Sequence, residues 1–282
     1  MRTARVIGPG RVGRALERAL ASVGWRVAPA LRRGDDLQGA ADGVDLVLVT
    51  TTDDAIRRVA AAVAPRSDVV VAHCSGAHSL DVLEPHPRRA SIHPLASIPD
   101  ERIGAERLTD GCSFAVDGDP LAEELVGALG GRAFRVRPED RVRYHAAAVI
   151  ASNHLVALLG QVERVAAEVG VPLDAYLDLV SQTLDNVRRL GPGAALTGPV
   201  ARGDWATVYR HLLAVGPAER HAYEAMASQA SRLAGRDEPS IAGLDPTGPD
   251  GGGPRSGDDP EGAPTASPAT PPRRALGSEA VA

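Results

Sequence analysis

The sequence predicts an α/β protein: a doubly wound, mostly parallel sheet, then an all-helical second domain. Three observations carry this. Short apolar runs alternate with helical patterns up to Arg137, a glycine-rich turn joins the first run to the first helix, and strand-like runs cease beyond Arg137. Continuously apolar runs suit parallel strands covered on both faces. Their alternation with helices suits βαβ units.

In order, strands are expected over 4–7, 26–31, 46–50, 69–73, 90–93, 112–116 and 132–136. Helices are expected near 12–22, 53–63 and 120–129, with Asp53 as the cap of the second. Pro138-Glu-Asp140 then opens a long helix, because proline and acids suit a first turn. It runs over 141–169, about 45 Å at 1.5 Å per residue, with Gly170 as its stop. Its middle, 145–159, is apolar on nearly every face and is therefore expected to be buried. A helix over 172–190 ends at Gly191-Pro-Gly193, and two more follow near 204–215 and 217–233. The division is a sheet domain over 1–137, a helical domain over 138–234 and a tail over 235–282. The tail is too poor in apolar residues to offset ordering entropy, and is read as disordered.

Composition narrows the function. Apolar residues make up 44% of 282, enough for a substantial core, and the net charge of -5 gives a nucleic-acid partner no electrostatic support. No apolar run is expected to reach the length of a membrane span, and the start of the chain reads at once as a strand, which points to the cytoplasm. Cys74 and Cys112 lack metal-ligand spacing, so no metal is expected. The chain contains no lysine.

The glycine turn reads Gly8-Pro9-Gly10-Arg11-Val12-Gly13. Gly8 permits the turn out of the strand, Gly10 lets backbone approach a pyrophosphate, and Gly13 lets the helix pack closely on the sheet. The helix N-terminus offers free N–H groups to the phosphates. An acidic residue for a ribose hydroxyl is missing from the end of the second strand; Arg32 and Arg33 stand there instead. Guanidinium forks suit a 2′-phosphate, which predicts NADP.

Ligands of such sheets bind outside the carboxyl ends of the strands. Thr51 and Thr52 follow the third strand, and their small hydroxyls suit a ribose or leave space for a nicotinamide. Ser75 follows the fourth. His93 closes the fifth, where Pro94 fixes the backbone and an imidazole can move a proton near neutral pH. On the long helix, Asn153 is costly to bury without partners. His145 lies eight positions earlier, about 12 Å along the axis, so both can line one cleft without gripping one small group. Thr197 and Arg202, in Leu196-Thr-Gly-Pro-Val-Ala-Arg-Gly-Asp204, suit a substrate carboxylate.

Together these residues resemble a known group. The N-terminal half is similar to the NADP-binding domain of pyrroline-5-carboxylate reductases, prephenate dehydrogenases and 6-phosphogluconate-dehydrogenase-like enzymes. Over about 3–233 the chain resembles a bacterial family of Rossmann-like proteins with a C-terminal domain of unknown function. The glycine turn, Thr52-Asp-Asp-Ala-Ile56, His93-Pro-Leu95, Ser152-Asn-His154 and the 196–204 loop carry the resemblance. Prephenate dehydrogenases imply a proton-transfer role for His93 with Ser75 beside it. Pyrroline-5-carboxylate reductases imply that the 197–204 loop holds a carboxylate. Ketopantoate-type reductases pair Asn with Lys one turn apart; Asn153 matches the Asn, but Val149 stands where the lysine would be.

The expected function is NADPH-dependent reduction of a small keto or imino acid, ketopantoate-like or pyrroline-carboxylate-like, in an interdomain cleft. The catalytic set is His93, Ser75 and Asn153, with substrate held by Thr197, Arg202 and His145. The helical domain is expected to pair two copies into a homodimer. The alternative is a non-catalytic NADP-binding regulatory or scaffolding protein.

Overall fold

A computed structural model describes residues 1–236, so the tail predicted from residue 235 falls almost wholly outside the described residues. The strands are β1 (Thr3–Ile7), β2 (Arg26–Leu31), β3 (Leu46–Val49), β4 (Val70–His73), β5 (Arg89–Pro94), β6 (Ser113–Gly118) and β7 (Arg132–Arg135). They form one sheet in the order β2-β1-β3-β4-β5-β6-β7. Strands β1 to β5 are parallel; β6 pairs antiparallel with β5, and β7 runs parallel to β6. The order reverses at β1, which lies between β2 and β3. A crevice therefore opens at the carboxyl end of β1, where the glycine turn begins.

The helices of this part are α1 (Arg11–Ser22), α2 (Ile56–Ala61), α3 (Glu101–Thr109) and α4 (Leu121–Ala128). Leu16, Leu108 and Leu125 from α1, α3 and α4 meet Val6, Leu48, Ile92 and Phe114 on one face of the sheet. Ile56 and Ala60 from α2 meet Ile7, Val47, Val49 and Val71 on the other. Side chains alternate along a strand. In β5, Ala90 and Ile92 enter the first core, which turns Ser91 and His93 to the second face. There the apolar layer gives way to polar groups, and His73 and Ser91 are fully buried.

Two helices differ from expectation. Helix α3 was not anticipated, because Gly104 weakens its pattern; that glycine is needed, since a Cβ there would stand 2.7 Å from the Cβ of Ala15 in α1. Its cap is Asp100, which accepts from the Ile103 N–H at 2.8 Å. The second predicted helix is shorter than expected: a 3₁₀ turn at Asp53–Ala55 leads into α2. Asp53 does not cap it; Thr52 holds that position without a side-chain bond.

The long helix is α5 (Arg141–Val149), a π-turn at Ile150–His154, and α6 (Leu155–Ala167). The expectation that its middle is buried does not hold. Ile150, Val156 and Leu158 are 59%, 67% and 37% exposed. An all-round apolar pattern specifies a need for cover, not what supplies it. The expectation that nothing here is long enough for a bilayer also needs correction. The helical run Pro138–Ala167 meets that criterion by length and composition, because it continues through His145, Ser152, Asn153 and His154.

The chain divides into two compact units, 1–160 and from Gln161 on. The border differs from the expected one after Arg137: helix α5 falls within the first unit, and its side chains are anchored to β5, as described below. The second unit holds α7 (Asp174–Ala195), α8 (Pro199–Arg202), α9 (Trp205–Ala214) and α10 (Pro217–Ala234). Gly191, at φ 76° and ψ 163°, breaks α7 where an end was predicted. Asp204 caps α9 by accepting from the Thr207 N–H at 3.1 Å. Val200, Val208, Leu212 and Ala227 form a small core, while α7 buries none of its residues.

Candidate functional site

The glycine turn is built as its sequence suggests. Gly8 has φ +87°, and a Cβ on it would lie 2.7 Å from Cγ2 of Thr51. At Gly13 a Cβ would stand 2.5 Å from Thr50 Oγ1 and 2.8 Å from the Gly8 carbonyl oxygen. A Cβ at Gly10 would meet nothing within 4 Å. Gly8 and Gly13 therefore serve the fold, and Gly10 leaves open space above the turn. Thr50, which was not singled out, braces the turn by donating to the Gly8 carbonyl at 2.7 Å. Residues Arg11, Val12 and Gly13 open α1, where the first N–H groups have no intrahelical acceptor.

Three features fit a dinucleotide phosphate here. The space above Gly10 is open. Thr51 Oγ1 is buried with no partner among the described residues, beside Gly8. Pro9, Arg14, Arg18 and Arg32 line an open groove of about 640 Å³, together with the carboxylates of Glu17 and Glu101. Arg32 and Arg33 are exposed, and the described ion pairs include neither. The Arg32 backbone N–H donates to Asp35 at 2.7 Å, which shapes the turn that presents the pair. Thr52 is exposed in extended backbone at φ −61° and ψ 151°.

A second cluster forms at the ends of β4 and β5. His93 Nδ1 lies 2.7 Å from the Tyr144 hydroxyl. The rings of Tyr144 and His145 approach His93 edge-on, with centroids at 5.5 and 5.8 Å. Gly76 makes room for this: a Cβ on it would stand 2.7 Å from His145 Cδ2 and 2.9 Å from His93 Nε2. Burial lowers the His93 pKa to about 4, with His145 and Arg141 adding to the effect and Asp53 opposing it. The imidazole is therefore neutral at pH 7, able to donate from one nitrogen and accept at the other.

Ser75 does not assist His93 as expected. Its hydroxyl donates to Asp53 at 2.9 Å and accepts from the Ala77 and His78 N–H groups, both at 3.2 Å. It is thereby committed to the loop that carries Gly76. Beneath it, His73 Nδ1 accepts from the Ser75 N–H at 3.2 Å, so Nε2 carries the proton, 3.2 Å from the Ser79 carbonyl. Burial, then the charge of Arg141, lowers the His73 pKa to about 4. Unfolding between that value and the ordinary 6.5 takes up a proton, so stability is full above pH 6.5 and falls as pH drops towards 4. The loss over that interval is on the order of 3 kcal/mol. His93, lowered over the same interval, adds a comparable loss, so His73→Asn should reduce the slope by about half in urea titrations at neutral and acidic pH; an equally steep profile in the variant would exclude this source.

The described contacts of this cluster include none of the other named residues. Asn153 is exposed in the π-turn, eight residues beyond His145 and about 12 Å along the axis. Its predicted need for a buried partner does not arise. Thr197 and Arg202 are exposed in the second unit, Arg202 ending α8. Two residues near His93 carried no spacing signal: Tyr144, 51 positions from its partner, and Arg141, a fully buried cation.

The first unit is thus a Rossmann-type fold, and solved structures of similar fold match most of the chain. A Bacteroides fragilis protein with a provisional NADP-oxidoreductase assignment superposes with a TM-score of 0.66 at 21% identity, over 82% of this chain and 98% of that one. The Thermotoga maritima protein TM1727 gives 0.60 at 26% identity, over 82% and 98%. A Plasmodium falciparum pyrroline carboxylate reductase with NADP bound gives 0.56 at 11% identity, over 83% and 98%. Residues 112–230 match the family model of a domain of unknown function, DUF2520. That segment, from the last residue before β6 into α10, is thus similar to that domain. No curated protein matches it in sequence.

Proposed function

We propose that the chain is an NADPH-dependent oxidoreductase that reduces a small keto or imino acid. The observation that carries this reading is the arrangement along one sheet edge. The glycine turn follows β1, the free arginine pair follows β2, and His93, neutral and half-buried, ends β5. Support also comes from neighbours of similar fold named as a ketol-acid reductoisomerase and an imine reductase.

In this reading Pro9, Gly10 and the N–H groups of Arg11, Val12 and Gly13 hold the pyrophosphate. Thr51 and Thr52 serve the ribose or nicotinamide side. When bound, the reduced coenzyme supplies a hydride. His93 supplies the proton to the substrate oxygen or nitrogen, and His145 lies against it to orient the reacting group. Thr197 and Arg202 bind the carboxylate, and two copies pair through the helical domain, whose Leu179 and Leu190 are 58% and 60% exposed.

Arg32 and Arg33 select the 2′-phosphate. Replacing both with serine is expected to weaken NADPH binding about 10–100-fold, the worth of one or two charge-assisted bonds, while leaving NADH binding little changed. Fluorescence titration with both coenzymes measures this; parallel losses would reject the assignment. The function itself is tested by saturating the protein with NADPH and following its oxidation across a panel of keto and imino acids. Binding without turnover on any would favour a non-catalytic NADP-binding role. Val149, in place of a lysine one turn before Asn153, is the observation on that side.

A further inference from the structure

One turn of α5 carries Arg141, Tyr144 and His145. The Tyr144 hydroxyl and His93 Nδ1 are 2.7 Å apart, which permits two proton arrangements. If Nδ1 carried the hydrogen, it would donate to the phenolic oxygen and the phenolic proton would need another acceptor; none occurs among the described residues. If the phenol donates to Nδ1, every group is satisfied and the imidazole hydrogen sits on Nε2. That nitrogen is the one beside Gly76.

Arg141 is fully buried and makes no ion pair within 4 Å among the described residues; the charge of Asp117, opposite Ser91 in β6, offsets its burial in part. Its Nη2 donates to Ser91 Oγ, while Nε and Nη1 have no partner. A guanidinium stays charged in a protein, and an uncompensated buried charge is costly. An anion formed one helical turn away would add to the compensation that Asp117 gives. The charge of Arg141 already favours ionisation of Tyr144, against the burial that raises that phenol to about 12.

We propose that Tyr144 is a positioning residue that fixes His93 in the Nε2–H tautomer and replaces its proton, with Arg141 balancing the tyrosinate formed. This rests on the reductase reading, with a reduced nicotinamide as the source of the two electrons. The alkoxide oxygen (or amide nitrogen, for an imine) left when the substrate carbon has accepted hydride takes the Nε2 proton. Nδ1 takes the phenolic proton, so the imidazole ends neutral. After product leaves, Nδ1 returns its proton to the tyrosinate and Nε2 takes one from water, which restores the starting tautomer. The groups facing His93 are Tyr144, His145 and Arg141 from α5 and Asp53 from the turn after β3.

The test uses the full chain with ¹⁵N-labelled histidines, and identifies the His93 signals by their loss in His93→Gln. Long-range proton–nitrogen spectra should show Nε2 protonated and Nδ1 unprotonated near neutral pH. Tyr144→Phe keeps the ring beside Phe134, whose centroid lies 5.8 Å away, and removes only the hydroxyl. It should give mixed tautomers at His93 with NADPH affinity retained. With a substrate identified, it should lower kcat about 10–100-fold with KM little changed, and shift the pH profile. An Nδ1–H signal in the native chain, or an unchanged tautomer in Tyr144→Phe, would overturn the proposal. If the tautomer is as expected but no nicotinamide coenzyme binds, the reductase reading fails, and the proton relay fails with it.

Discussion

Replacing His93 with alanine is expected to lower turnover by about two to four orders of magnitude, the usual worth of a positioned general acid, with NADPH affinity little changed. The imidazole ends a strand that is parallel to the one feeding the glycine turn, but three places along the sheet from it. Its contacts are with Tyr144, His145 and Gly76, none of which belongs to that turn. Removing the ring therefore takes away proton delivery and leaves the coenzyme's anchor intact. Stopped-flow turnover and coenzyme titration, measured on one preparation, separate the two quantities. Equal losses in both would mean that His93 supports the fold of the site rather than its chemistry.

The second large effect is a contrast between neighbouring glycines. Gly13→Ala places a methyl 2.5 Å from Thr50 Oγ1 and 2.8 Å from the Gly8 carbonyl. That hydroxyl and that carbonyl are bonded to each other at 2.7 Å, so the substitution wedges apart the brace of the turn. A stability loss of about 1–3 kcal/mol is expected from overpacking, together with loss of coenzyme binding. Gly10→Val, by contrast, directs its Cβ into open space. Its melting temperature should match that of the native chain, yet the side chain occupies the approach a pyrophosphate needs, so NADPH binding should fall steeply. Calorimetry and fluorescence titration check both. Native affinity in Gly10→Val would remove the phosphate from this turn.

The sheet was legible because parallel strands leave long apolar runs, and β1 to β5 were each found within a residue of their observed limits. The glycine turn was legible because its three glycines meet three different constraints. Pairings distant in sequence were not. Ser75 lies 22 residues from Asp53, and Tyr144 lies 51 from His93, so no local pattern joins them. Asp53 looked like a cap because caps are local and cross-sheet bonds are not. Burial of Arg141 ran against every compositional rule for arginine. The exposure of residues on α5 and α6 was hidden for a different reason: hydrophobicity records what a surface avoids, not the surface that satisfies it.

The reversal of direction between β5 and β6 sets a boundary. Strand carboxyl ends line one rim only from β2 to β5, so His93 stands at the far limit of that rim. From the turn after β1 to His93 are three strand spacings, ~14 Å. The sheet thus acts as a ruler, with phosphate chemistry fixed at one mark and proton chemistry at the other. What lies between is length enough for a sugar, a flat ring and a molecule of only a few carbons, which limits reactant size before any side chain does.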